Sequence, residues 1–434
     1  MKLSPCSFSA AAVLLVPLLL AACGQTNMAR ETGTTAVRPE FIAQVPLVSG
    51  MSADNLEAAY GGQVLSEARG EGYALMGFSA SEVRGGLNAQ GTRVVHVERN
   101  RDRFQGGGLT ATMSARRTVW VTGSFDTWAS ARRTVWVTGS FDLVPQNTAT
   151  FQQIGLEAAQ ARASNLGAGV KVAVIDTGID IDHPAFAGSL APQNEWRDFR
   201  DNDANPDEEG VMGEGGYGHG TGVAGIVLQV APRATILPLR VLGQDGSGDV
   251  LHVAQAIDWA VKCNAQIINL SLGTDTRSNV VQDAIERATA RGVMVISAAG
   301  NENRNVLNYP ASSAAMPGVI GDYSLSVGSV DASDLKSSFS NYGKALEIVT
   351  PGENVYTPGP DNLLVAWSGT SMSAPMVTGS LALALGEKWS ISARDLIKGL
   401  TDNAADIYRN GMNSTYRDKL GKGRLDLTVF SKVQ

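Results

Sequence analysis

The chain has 434 residues, 44% of them hydrophobic and 18% charged, with 35 basic and 42 acidic residues and a net charge of -7. That length and balance suit two or three globular domains with a sizeable core. The mild acidity argues against nucleic acid as a partner, because phosphate binding needs clustered Lys and Arg. Of the three cysteines, Cys6, Cys23 and Cys263, only Cys263 lies in the body of the chain, where it reads as a small buried hydrophobe without a disulfide partner.

The first element is a leader. Lys2 precedes an apolar run from Ala10 to Ala22, shorter than the roughly 20 residues of a spanning helix. The run ends in Leu20-Ala21-Ala22-Cys23, with small residues before a cleavage point. This order resembles the bacterial lipobox, which implies that Cys23 becomes the lipid-bearing first residue of an exported protein. An ordinary signal peptide that happens to end in Cys is the alternative. Residues 1–22 are thus read as a signal peptide. Residues 23–40, polar and small, are read as a tether.

Residues 41–99 read as a small α/β unit. Phe41 to Val45 predicts a strand. Ser52 to Tyr60 predicts a helix with a Ser cap, closed by Gly61-Gly62. Val64 to Ser66, Tyr73 to Phe78 and Thr92 to Glu98 predict further strands, with a helix from Ser81 to Leu87. The resulting order, βαββαβ, is that of a ferredoxin-like fold. Residues 100–147 read as a linker carrying a duplication. Ser114 to Asp126 recurs unchanged as Ser130 to Asp142. Two copies are too few for a solenoid. Each copy alternates in the manner of a strand and exposes Trp120 or Trp136 to a partner if it forms a ribbon. From residue 148 to 434, apolar runs of strand length (Val170–Ile175, Ile267–Leu270, Val293–Ile296) alternate with helical stretches at Val250–Lys262 and Asn279–Arg291. This pattern predicts a mostly parallel sheet covered on both faces, a three-layer α/β/α domain. Sites in such folds gather at the carboxyl ends of the strands.

Peptide hydrolysis without a metal needs a nucleophile, a base, an orienting carboxylate and oxyanion donors. Asp176 ends the strand Val170–Ile175 and opens Asp176-Thr177-Gly178. An aspartic protease would need a second such triplet, and there is none. His219 lies in Gly218-His219-Gly220-Thr221-Gly222-Val223-Ala224-Gly225, whose small residues let a helix start close to a sheet. Ser371 lies in Gly369-Thr370-Ser371-Met372-Ser373-Ala374-Pro375, where a following helix aims its N-terminus at the reacting carbonyl. Asn301 follows Ala298-Ala299-Gly300, and its amide can donate to an oxyanion together with the Ser371 backbone N–H.

These four strings, in the chain order Asp, His, Ser, resemble the subtilisin family. The resemblance covers about residues 147–434. It implies a serine endopeptidase acting on polypeptide substrates through an acyl-enzyme on Ser371. His219 would carry the proton, Asp176 would hold the imidazolium and Asn301 would steady the oxyanion. It also implies that Gly246-Ser247-Gly248 and Ser271-Leu272-Gly273 flank substrate as an added strand, that Val250 rims a distal pocket and that Asn308 stands at the base of the primary pocket. Subtilisins usually have Gly at that base, so a shallower or more polar pocket is expected. Met372, beside the nucleophile, makes oxidative inactivation an expectation. Residues 41–99 resemble the propeptide that precedes subtilisins, chiefly by their position. They would serve as an intramolecular inhibitor.

No cofactor is required for this chemistry. The chain after His219 is too short for the tight calcium loop of typical subtilisins. The acidic loop before it offers Asp201, Asp203, Asn205 and Asp207 as a possible structural calcium site, or simply a solvated loop. With Cys23 lipidated, the membrane anchor and the protease lie on opposite sides of the processing point. Self-cleavage between about 100 and 150 would then release the mature enzyme to the exterior. Two other readings remain open from sequence: a catalytically silent subtilisin-like binding protein, and a surface adhesin built on the Trp-containing repeat.

Overall fold

The computed structural model describes residues 39–47, 51–68, 72–84, 96–100, 102–106, 144–211, 214–387 and 391–428. Cys23, the tether as far as residue 38 and both copies of the repeat lie outside the described residues.

The N-terminal part is a four-stranded antiparallel sheet. Its strands are β1 (Phe41–Pro46), β2 (Gln63–Ala68), β3 (Tyr73–Phe78) and β4 (His96–Arg99), in the spatial order β2-β3-β1-β4. Helix α1 (Ala53–Tyr60) follows β1, and α2 (Ala80–Arg84) follows β3. Ser52 caps α1 by accepting from Asn55 N at 3.2 Å, which satisfies a donor the helix leaves unpaired. All six residues of β3 are buried, so both faces of this sheet are covered. One face packs Ala43, Val45, Ala74, Met76 and Phe78 against Leu56 and Tyr60 of α1. The other sends Ile42, Tyr73 and Leu75 into the core of the following domain.

That domain is built on seven strands: β6 (Lys171–Asp176), β7 (Arg197–Asp198), β8 (Thr235–Arg240), β10 (Ile267–Leu270), β12 (Met294–Ala298), β13 (Ser324–Val330) and β14 (Ile348–Pro351). Their order is β14-β13-β12-β10-β6-β8-β7, and every neighbouring pair is parallel. Side chains alternate across a strand, and both faces are apolar here. Val172, Val174, Ile236 and Ile296 face one helical layer. Ala173, Ile175, Leu237, Leu239 and Val295 face the other. Two short helices, α3 (Thr148–Gln153) and α4 (Leu156–Arg162), lead into the first layer. Its main members are α5 (His219–Val230) and α9 (Thr370–Glu387), which pack against each other. The second layer comprises α6 (Val250–Lys262) and α7 (Asn279–Ala290), bounded much as the sequence predicts, with α8 (Val319–Tyr323) beside α7. Asp249 caps α6 and Ser278 caps α7. A hairpin of β15 (Val355–Gly359) and β16 (Leu363–Trp367) lies on α5, and α10 (Ala393–Asp402) is the last α-helix among the described residues. This is the three-layer α/β/α arrangement expected.

The two parts meet through α6 and α7. The Arg287 guanidinium stacks over the Tyr73 ring at 4.0 Å and pairs with Asp258 at 3.0 Å. Glu98 accepts from Ser278 Oγ (2.6 Å) and Asn279 N (2.8 Å) at the start of α7. A carboxylate is favoured at a helix N-terminus. Beyond Glu98, strand β5 (Asp102–Gly106) falls in the stretch that the sequence reads as linker. It is the central strand of a three-stranded antiparallel sheet between β9 (Ser247–Asp249) and β11 (Leu272–Gly273).

Candidate active site

Asp176 closes β6 at the carboxyl end of the parallel sheet, and its Oδ1 lies 2.6 Å from His219 Nδ1. The same oxygen accepts from Thr177 N at 2.8 Å. His219 opens α5 directly after Gly218, whose φ of +87° turns the chain into the helix. The helix can begin this close to β6 only because residue 220 is glycine. A Cβ there would stand 2.1 Å from the Gly178 carbonyl oxygen and 3.0 Å from Asp176 Cβ. The Trp367 ring meets the imidazole edge-on, with centroids 5.7 Å apart.

Behind this pair sits a glutamate. Glu208 Oε1 accepts from Thr177 Oγ1 (3.0 Å), Thr221 N (3.1 Å) and Thr221 Oγ1 (3.1 Å), while Thr177 Oγ1 accepts from Gly220 N at 2.9 Å. The amides of Gly220 and Thr221 at the start of α5 are thus satisfied by side chains, and that of His219 by the Gly216 carbonyl. Burial pushes the Glu208 pKa up to about 7. Burial also works against a charged His219. The Asp176 charge and hydrogen bond, with Glu208 beyond, outweigh it and hold the imidazole pKa above 6.5.

Ser371 lies in the first turn of α9. Its hydroxyl donates to the Ser271 carbonyl at 3.0 Å, and Ser271 Oγ donates back to the Ser371 carbonyl at 2.8 Å. Asn301 is fixed next to it. Its Oδ1 accepts from Thr370 N (2.9 Å) and Thr370 Oγ1 (3.0 Å). Asn301 Nδ2 and His219 Nε2 are buried with no hydrogen-bond partner among the described residues. Asp176, His219, Asn301 and Ser371 are each at most 4% exposed. The hydroxyl is therefore turned to Ser271 rather than to the imidazole. Met372 is fully buried behind it.

Gly246 takes φ +74° and leads into Ser247-Gly248 on β9, and Ser271 leads into Leu272-Gly273 on β11. Strand β5 runs between them, with Phe104 opposite Gly248, Gln105 opposite both Ser247 and Gly273, and Gly106 opposite Leu272. Val250 lines an open cavity of about 100 Å³. Its other walls are Glu98, Arg99, Thr274, Thr276, Arg277 and Ser278, and carbon atoms make up most of the surface that faces the cavity. Asn308 is 7% exposed. It accepts from Arg304 (3.1 Å) and Asn341 (3.3 Å) and donates to Glu302 (3.2 Å).

The acidic loop does not gather its four proposed ligands. Asp203 accepts from Asn205 N, Asp207 accepts from Glu208 N, and Asp201 pairs with Arg240. Among the described residues, no group of three or more His, Cys, Asp or Glu is placed to hold a metal ion. The buried Arg240 instead brings a cation of its own, with contacts to Asp198 (2.5 Å), Asp201 (2.7 Å) and Glu209 (2.7 Å). Sequence reasoning passed over Arg240, Glu208, Trp367 and Thr370. Only Thr370 carried a signal, as a member of the serine string.

The subtilase family pattern matches residues 167–426. Thermitase from Thermoactinomyces vulgaris is 36% identical over 58% of this chain and 86% of its own. Subtilisin Savinase from Lederbergia lenta is 35% identical over 59% of this chain and 95% of its own. The crystal structure of a cold-adapted subtilisin-like serine proteinase superposes with a TM-score of 0.50, at 32% identity, over 60% of this chain and 88% of that one. With the buried Asp176–His219 pair at the end of a parallel sheet, these likenesses lead to one conclusion: the chain belongs to the subtilase family of serine endopeptidases.

Proposed function

We propose that the enzyme cleaves polypeptides by acyl transfer to Ser371. The observation that carries this is the buried 2.6 Å contact between Asp176 Oδ1 and His219 Nδ1, which leaves Nε2 free of other partners among the described residues. Rotation of the Ser371 hydroxyl from Ser271 to Nε2 completes the relay. Nε2 takes the hydroxyl proton as Oγ attacks the scissile carbonyl, and Asp176 stabilises the imidazolium. Asn301 Nδ2 and the Ser371 N–H receive the oxyanion. The imidazolium then protonates the departing amine. Water, deprotonated by His219, releases the acyl group and regenerates the hydroxyl.

The chain is further read as a precursor. Strand β5 fills the slot between β9 and β11 where an extended substrate would add, and the N-terminal sheet is docked on α6 and α7. Residues up to about 106 would act as an intramolecular inhibitor. Lipid attachment at Cys23 would hold the precursor at a membrane until self-cleavage frees the protease. Among the described residues, no helix is long and apolar enough to cross a membrane.

Phenylmethylsulfonyl fluoride tests the chemistry, and fractionation of the same cells tests the release. The reagent is expected to label wild type on Ser371 and to leave Ser371→Ala unlabelled. The variant is expected to stay full-length in the membrane fraction. Processed wild type without label or peptidase activity would refute the catalytic reading. A wild-type catalytic domain still joined to Cys23 would refute the release.

A further inference from the structure

We propose that Asn341, with Lys336 as a second anchor, is a positioning residue for the reaction: the loop that carries Asn301 is folded around its carboxamide, which sets the Asn301 amide where the oxyanion forms. This rests on the catalytic reading above.

Asn301 lies in residues 299–304, which follow β12 and belong to no helix or strand. Two of these residues are left-handed, Gly300 at φ +104° and Asn303 at φ +54°. Backbone in such conformations persists only where its surroundings fix it. Buried peptide groups outside helices and sheets also need partners. Four peptide groups, on both sides of Asn301, are served by the single residue Asn341. Asn341 Oδ1 accepts from Glu302 N (3.2 Å) and Arg304 N (2.8 Å). Its Nδ2 donates to the Ala299 carbonyl (3.2 Å), and its backbone N–H donates to the Gly300 carbonyl (2.9 Å). Nδ2 also donates to Glu302 Oε2 (2.6 Å) and Asn308 Oδ1 (3.3 Å).

Asn341 is fully buried. It enters the loop against a bare glycine, since a Cβ on Gly300 would stand 2.4 Å from Asn341 Nδ2. A carboxamide supplies both donor and acceptor from one short side chain. An apolar replacement would leave the peptide groups around Asn301 unpaired, and the loop would have to move to satisfy them.

The other side of Asn301 is held by the nucleophile's helix. Its Oδ1 accepts from Thr370 N and Oγ1, and Thr370 Oγ1 accepts from Gly300 N at 3.1 Å. Lys336 belongs, like Asn341, to the connection between β13 and β14. Its Nζ donates to Asn303 Oδ1 (2.8 Å) and to the Ser337 and Ser340 carbonyls (2.8 and 2.9 Å). Asn303 N donates in turn to the Phe339 carbonyl at 2.7 Å. Residues 336–341 thus hold the loop at 299, 300, 302, 303 and 304, and leave Asn301 itself to Thr370 and to substrate.

The test is a double-mutant cycle on protein purified from the full chain. Active sites are first counted by phenylmethylsulfonyl fluoride labelling carried to completion. Then kcat and KM are measured on one peptide for wild type, Asn341→Ala, Asn301→Ala and the double variant. A misplaced catalytic group costs up to about a hundredfold. Asn341→Ala is accordingly expected to lower kcat by about tenfold to a hundredfold, with KM within about threefold, because the bond to the oxyanion forms only in the transition state. With Asn301→Ala already present there is no amide left to place, and the same substitution is expected to lower kcat by less than about twofold. Lys336→Met leaves the Asn341 carboxamide intact. It is expected to show the same pattern with a smaller loss, and it decides if Asn341→Ala does not fold. Equal losses in both backgrounds, a loss confined to KM, or no loss at all would overturn the proposal alone. Wild type without a labelled serine, or a kcat untouched by Asn301→Ala, would bring down the catalytic reading, and this one with it.

Discussion

At the residue scale the site depends on atoms fixed before substrate arrives. The Asn301 carbonyl oxygen is taken by Thr370, and its amide has no partner among the described residues. Asn301→Ala is therefore expected to lower kcat by about 10²–10³, or about 2.7–4 kcal/mol of transition-state stabilisation, a scale set by such donors in subtilisin-type sites. KM should change little, since the bond forms only in the transition state. Steady-state kinetics on one peptide checks this, and a loss confined to KM would contradict it. The four candidate site residues could be proposed from sequence because each lies in a short contiguous string rich in small residues. Glu208 could not. It reaches Thr177 and Thr221 only because the loop before His219 folds back on the end of β6, and no local spacing announces that. Trp367 likewise meets His219 only once the β15–β16 hairpin lies on α5.

At the element scale, α5 joins catalysis to packing. All twelve of its residues are buried, and three of its glycines mark close approaches. Gly220 faces the Gly178 carbonyl, Gly222 faces Thr357 and Trp367, and Gly225 faces Pro358. A methyl at Gly220 must push the helix from β6 or break the Asp176–His219 contact. Gly220→Ala is expected to cut kcat/KM by at least about tenfold and to lower stability by about 1–3 kcal/mol, as overpacking typically does. Denaturant melting and kinetics on the same sample check both, and wild-type values would show that the helix has slack. Elements buried on both faces were readable as apolar runs, and the predicted helices at 250–262 and 279–291 nearly coincide with α6 and α7. Strand β5 was not readable. Asp102-Arg103-Phe104-Gln105-Gly106 has no apolar alternation. It becomes a strand because β9 and β11, far along the chain, offer it two edges.

At the scale of the whole molecule, stability and acidity are linked through buried carboxyls. Burial pushes Glu347 from 4.5 up to about 8 and Glu208 up to about 7. Unfolded, both lose their proton near 4.5; folded, they keep it to higher pH. The folded state therefore binds more protons between about pH 5 and 8, and stability contributed by these groups falls as pH rises through that window. The thermal midpoint of Ser371→Ala protein is expected to drop from pH 5 to pH 8. Adding Glu347→Gln should flatten the slope, a tenfold change in proton affinity being worth about 1.4 kcal/mol. Equal slopes in both proteins would refute the link. The fold class was legible from alternating strands and helices, whereas the docking of the N-terminal sheet was not, because Ile42, Tyr73 and Leu75 find their apolar partners in another part of the chain. The placement of β5 has a kinetic consequence. On the precursor reading proposed above, a blade sheathed in its own scabbard needs no encounter to make its first cut. That event should follow a clock indifferent to dilution, and only the later destruction of the severed piece should quicken as molecules crowd together.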